Sequence, residues 1–301
     1  MKTHYCSRFI VSVFILLTTI SFAIAATSPN LATSVSFSIL SSTYTNTTGG
    51  TILNGDLGYT TGPATVPTIN GTTHAMDSAY NQAGINQGSA LTALNSQPCS
   101  FTFAAGAVDL ASDSTHGTIG IYTPGIYCIT GAASIGGGGT LTLNGSGSYI
   151  FRMTGALNTS ANSIVTLSGA SACNVWWTPN AATTLGANSA FMGTVVDPSG
   201  ITIGSTVIWA GRALAYGGTV STTSDTITVP TCLSTIPPTT TAIATAVTTA
   251  TTTPLAAKVT PTQTTSRLAN TGNNNILNIA VGSFLLSMII LIYSKRKKVQ
   301  K

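Results

Sequence analysis

Between residues 140 and 167 the chain reads Thr140-Leu141-Thr142-Leu143, then Tyr149-Ile150-Phe151-Arg152-Met153, then Ile164-Val165-Thr166-Leu167, with Gly, Asn and Ser in the intervals. Residues i and i+2 of a strand lie on the same side, so each alternating run can bury one side and leave the other in water. The polar intervals are turn formers, and the runs are short. Similar runs occur at Val35-Ser36-Phe37-Ser38-Ile39-Leu40, Asn174-Val175-Trp176-Trp177, Ile201-Thr202-Ile203 and Thr226-Ile227-Thr228-Val229. Short strands with frequent Gly corners suit the coils of a β-helix better than the longer strands of a sandwich. The fold class predicted is therefore mostly β, a β-solenoid, with an immunoglobulin-like sandwich as its architectural rival.

One interval departs from this period. Thr72 to Asn95 carries Ala75, Ala79, Ala83, Ala90, Leu91 and Leu94 at helical spacings, with Thr72 or Thr73 as the cap and Asp77 in the first turns. Gly84 and Gly88 each cost about 1 kcal/mol relative to Ala, so this helix has to be held by packing against the strands.

The chain has 301 residues, 6% of them charged, and a formal charge of +5. That charge sits at the ends: Lys2 and Arg8 lie in the first ten residues, and Lys295, Arg296, Lys297, Lys298 and Lys301 in the last seven. Between them, Arg152, Arg212, Lys258 and Arg267 stand against Asp56, Asp77, Asp109, Asp113, Asp197 and Asp225, four positive minus six negative, or −2. No basic patch exists to neutralise phosphates, so nucleic acid is not an expected partner.

The ends have their own organisation. Residues 1–26 read as a secretory signal peptide, with a basic start, the apolar run Phe9 to Leu17 and the small-residue end Ala23-Ile24-Ala25-Ala26. Residues 27–232 form the folded domain. Residues 233–267 are dominated by Thr, Ala and Pro with no aromatic residue, which makes them a semi-extended stalk reaching on the order of 100 Å. In residues 268–301, Leu268-Ala269-Asn270-Thr271-Gly272 precedes the apolar span Ile276 to Tyr293 and the basic tail. Eighteen such residues suffice to cross a bilayer, with the cations held inside. The order resembles a cell-wall sorting signal, cleaved by sortase between Thr271 and Gly272, with Ala269 where that signal usually has Pro. A plain single-pass membrane anchor is the alternative. Either arrangement places the domain outside the cell, anchored to cell wall or membrane.

Loss of the leader removes Cys6 and leaves Cys99, Cys128, Cys173 and Cys232, an even number suited to disulfides, with three possible pairings. No Cys-x-x-Cys occurs and no His flanks a cysteine at ligand spacing, so no metal site is assigned. The domain holds six Asp and no Glu, none closer in sequence than Asp109 and Asp113, whereas glycoside hydrolysis needs a carboxylate pair in a cleft. No catalytic residue and no cofactor is expected, and the protein reads as a non-enzyme. Trp176, Trp177 and Trp209 are read as core, Arg152 and Arg212 as structural partners of carbonyls or Asp, and Gly136 to Gly139 as a corner.

Taken in order, Ser36-Phe37-Ser38-Ile39-Leu40, Asn54-Gly55-Asp56-Leu57-Gly58, Tyr122-Thr123-Pro124-Gly125-Ile126-Tyr127-Cys128, Ala172-Cys173-Asn174-Val175-Trp176-Trp177 and Gly211-Arg212-Ala213-Leu214-Ala215 resemble the microbial ice-binding-like domain family, over nearly all of Leu31 to Cys232. The resemblance implies a right-handed, irregular β-solenoid of triangular cross-section with one long α-helix packed alongside. It also implies the pairings Cys99 with Cys128 and Cys173 with Cys232, and an ice crystal surface as the partner of a monomer.

Ice presents a periodic array of water, without charge or pocket. Stacked strands repeat every ~4.7 to 4.9 Å, close to spacings within ice, and Thr offers a methyl and a hydroxyl on a stiff side chain. The candidate face residues are Thr45, Thr47, Thr48, Thr51, Asn158, Thr159, Thr183, Thr184, Thr219, Ser221 and Thr222. Thr48-Gly49-Gly50-Thr51 fits the Thr-small-x-Thr pattern of some family members, and Thr159-Ser160-Ala161-Asn162 fits it loosely. The array is incomplete, so moderate activity is expected. The expected function is ice binding at the cell surface, as antifreeze, recrystallisation inhibitor or ice adhesin. A glycan-binding or structural surface adhesin on the same fold is the second reading.

Overall fold

A computed structural model describes residues 25–232. The signal peptide up to residue 24, the stalk, the sorting-like motif with Thr271 and Gly272, and the apolar span fall outside the described residues. Within them every strand-to-strand ladder is parallel, and successive strands stack into three sheet faces, the β-solenoid expected from the short alternating runs.

The first face is built from Phe37–Asn46, Ile208–Thr222, Ala190–Val196, Val175–Leu185, Tyr149–Thr159 and Gly125–Ile129, each contributing one end or all of its length. In-register inward positions place Tyr127, Phe151 and Trp177 on adjacent coils, with ring centroids 5.2 Å and 4.4 Å apart and nearly parallel planes. Phe191 and Trp209 extend this aromatic column. Trp176, Trp177 and Trp209 are all buried. Gly125–Ile129 is buried at every position because its outer side is covered too, the pattern of parallel strands with both faces packed.

The cover is the helix Ser78–Asn95, with Tyr80, Ala83, Gly84, Gln87, Ala90 and Leu94 buried along one stripe. It begins later than Thr72. Thr73–Ala75 pairs as a strand, Met76 turns with φ 54°, and Asp77, in extended conformation, accepts from the Tyr80 amide at 2.8 Å. That amide bond and the His74 side chain hold the Asp77 carboxyl below its ordinary range. Gly84 is required by contact: a Cβ there would stand 2.4 Å from the Tyr216 ring, whereas Gly88 faces open space. The C-terminal end of the helix meets Arg152, whose Nη1 donates to the carbonyls of Asn95 and Gln97, both at 2.6 Å, so its charge answers the helix dipole.

The ends of the domain meet in the middle of the stack. Phe37–Asn46 pairs with Ile208–Thr222, and Ile52–Asn54 with Thr226–Thr228. Disulfides join Cys99 to Cys128 and Cys173 to Cys232, with Cα separations of 5.9 Å and 5.6 Å, the pairing implied by the family resemblance.

Candidate functional site

The second face carries one outward residue per coil along a straight rank. Ser134 stands opposite Asn158, Asn158 opposite Thr184, Thr184 opposite Thr202, Thr202 opposite Ser221, and Ser221 opposite Thr45. Asn158, Thr184, Thr202 and Thr45 are exposed, and Ser134 and Ser221 half-buried. One flank carries Ala132, Ala156 with Ala181 opposite it, Gly200, Thr219 and Thr43, and the other Ser160, Gly186, Gly204, Thr223 and Thr47. Both flanks carry small side chains, and apart from Asp109 at one end no charged side chain stands in the rank. Asp109 closes one end of the rank, its carboxylate accepting from the Ala111 amide and Ser112 hydroxyl of its own turn and from the Gly136 amide of the neighbouring coil.

Two buried carboxylates brace this surface from within. Asp197 accepts from the Thr183 hydroxyl at 2.7 Å and the Ser199 amide at 2.9 Å, fixing the corner that leads into Thr202. Asp225 accepts from the Val207 amide at 2.8 Å and the Thr223 amide at 2.6 Å at the opposite corner. Burial raises the carboxyl pKa of both, that of Asp225 to about 6. The second corner is itself repetitive: Asn162, Asn188, Thr206 and Ser224 all adopt left-handed φ between 58° and 62°. Backbone bonds link Asn162 to Ala187, Asn188 to Ser205 and Thr206 to Thr223 from coil to coil.

The eleven residues picked out by sequence fall into three groups. Thr45, Thr47, Asn158, Thr184, Thr219 and Ser221 face outward on this plane. Thr51, Thr159, Thr183 and Thr222 are buried and spend their hydroxyls inside the coil, so they are not on the exposed surface. Thr48 lies at the corner, its Oγ1 2.7 Å from Ser224 Oγ. The Thr48-to-Thr51 pattern thus marks a turn. Ser134, Thr202, Thr43 and Thr223 belong to the plane and were missed, although the inward Ile201 and Ile203 on either side of Thr202 already point its side chain outward.

The third face differs in relief. Its outward rank runs Thr140, Ile164, Ala190, Ile208, Thr226, Ile52 and Thr68, in register throughout. Large and small side chains alternate, and Ile208 is 65% exposed. Among the described residues no group of three or more His, Cys, Asp or Glu could hold a metal ion.

The sequence profile of the ice-binding-like family matches residues 39–228. The chain belongs to the ice-binding-like family. A protein named ice-binding protein from Flavobacterium frigoris is 31% identical over 213 residues, covering 67% of this chain and 76% of its own length. Another of that name from a Nostoc species is 29% identical over 206 residues, covering 65% and 72%. The crystal structure of an ice binding protein from an Antarctic biological consortium superposes with TM-score 0.61 at 27% identity, covering 69% of this chain and 94% of the other. Ice-binding-like membership fits a domain with one face that bears a single short polar side chain per coil in register.

Proposed function

We propose that this protein adsorbs to ice through the second face, with Thr45, Ser221, Thr202, Thr184, Asn158 and Ser134 as the central rank and Thr43, Thr47, Thr219 and Thr223 beside it. The observation that carries this reading is the register. Six consecutive coils each place one hydroxyl or amide at the same position, at the strand repeat of ~4.8 Å. The bonds that Asp197 and Asp225 accept beneath this face support it as well, because adsorption to a lattice loses affinity with every group that must be ordered first. Family membership supplies the ligand class.

On this reading the coil is right-handed and triangular in section, the protein acts as a monomer, and no catalytic step is involved. The leader, stalk and tail display the domain at the cell surface, and sortase cleavage after Thr271 or the apolar span fixes it there. The outcome is inhibition of recrystallisation close to the cell, or attachment of the cell to ice. Burial of all three tryptophans favours this over the glycan-binding reading, since sugar recognition commonly uses an exposed ring as a platform. The test is recrystallisation in a frozen sucrose film containing the purified protein. Small crystals that persist support the proposal, whereas coarsening at the rate of a serum albumin control rejects it.

A further inference from the structure

Arg212 is a buried cation that meets no carboxylate among the described residues. It is 1% exposed, on the outer side of the first face. Its Nε donates to the Val35 carbonyl at 2.8 Å, while Nη1 reaches Thr194 Oγ1 at 3.4 Å and Nη2 reaches Cys232 Sγ only at 3.8 Å. Burial alone lowers its pKa to about 10. It donates to the last turn of the 3-10 helix Ala32–Ser36 through the Val35 carbonyl, but no carboxylate reaches it among the described residues. Five N–H groups in a fork geometry are therefore poorly used, at a site where an uncompensated charge is costly.

The chain itself has no carboxylate side chain to offer. All six of its acidic residues lie among the described residues and are engaged elsewhere: Asp56 and Asp77 at His74, Asp109 and Asp113 in the turn near His116, Asp197 and Asp225 in the two corners. From Thr226 to the end the sequence contains no Asp or Glu, and the first 24 residues contain none either. No Asp or Glu side chain is thus placed to answer Arg212, and a ligand carboxylate can do so.

Arg212 lines a cleft of about 460 Å³, within the range that holds a small organic molecule. Leu31, Val35 and Trp176 supply apolar wall, and Asn174 supplies an amide whose oxygen is already taken by the Ser28 hydroxyl. That leaves the Asn174 Nδ2 group to donate. One guanidinium, one amide donor and apolar walls match a monoanion with an apolar body better than a phosphate, whose second charge would be left unmet.

We propose that the Arg212 cleft is a binding site for a small organic monocarboxylate, its carboxylate on the guanidinium and its apolar part against Leu31, Val35 and Trp176. The site lies beyond the second face and is independent of ice adsorption. The probe is benzoate, with benzyl alcohol as its uncharged counterpart, added to the full-length protein while the Arg212 Nε–H resonance is followed by NMR. Benzoate is expected to move that resonance saturably and benzyl alcohol to leave it in place. Affinity measured by calorimetry should fall at least about tenfold in Arg212→Met, the loss of one charge-assisted pair. Because that variant can fail to fold, the wild-type resonance decides: no saturable movement with benzoate, or an equal movement with benzyl alcohol, overturns the proposal.

Discussion

Thr222 Oγ1 donates to Asn46 Oδ1 at 3.0 Å, although the two residues are 176 apart in the chain. Tyr44 Oη lies 2.8 Å from the same Thr222 hydroxyl, and Thr51 Oγ1 donates to Asn46 Oδ1 at 2.8 Å. This closed polar network sits inside the coil, where the first strand of the domain pairs with the last long one. On the outer side of the same two strands Ser221 stands opposite Thr45. The seam that holds the ends of the domain together is thus also what continues the outward rank.

Thr222→Val removes the hydroxyl while keeping the shape. Two buried partners lose a hydrogen bond, so stability is expected to fall by about 1–3 kcal/mol. Denaturant unfolding measures this. Ice activity per folded molecule should be unchanged, because the side chain never reaches the surface.

The same network explains which face residues could be read from the sequence. Alternation is informative where a polar residue sits between two apolar ones, as in Ile201-Thr202-Ile203 or Ala133-Ser134-Ile135. It fails where two polar residues are adjacent. Thr183-Thr184, Asn158-Thr159 and Ser221-Thr222 each send one side chain inward, and the inner hydroxyl is satisfied by Asp197, the Gly186 amide or Asn46. A buried polar group with a partner carries little penalty, so composition alone does not show which of the two is inside. The helix was visible from its buried stripe, but its start was not. Thr73–Ala75 is drawn into the first sheet face by pairing with Leu57–Tyr59, leaving Asp77 to cap.

The disulfides close loops of different length, with sequence separations of 29 for Cys99–Cys128 and 59 for Cys173–Cys232. Replacing Cys173 and Cys232 by Ala is expected to cost about 3–4 kcal/mol, and the other pair roughly 0.6 kcal/mol less, since doubling a loop adds about that much closure entropy. Unfolding midpoints of the two double variants check the order.

Asp225 gives stability a pH dependence with a definite sign. Its carboxyl is raised by burial to about 6, above the ordinary value, so folding favours the protonated form. The contribution is complete below the unfolded pKa near 4 and is lost as pH rises through about 6. Asp197 acts in the same direction. Between pH 4 and 7 the unfolding free energy from denaturant curves is expected to fall, and Asp225→Asn should reduce that fall by roughly 2 kcal/mol.

The second face is tested most directly by growing an ice hemisphere from a solution of fluorescently labelled protein and recording whether the label enters. Wild type and Ile208→Tyr, which alters only the third face, are expected to be taken into the ice. The variant Thr184→Tyr/Thr202→Tyr, which raises two bulky rings from the rank and should shift the melting temperature by no more than about 2–4 °C, is expected to be excluded. Exclusion of the wild type, or uptake of the double variant to the same extent as the wild type, would contradict adsorption through this face.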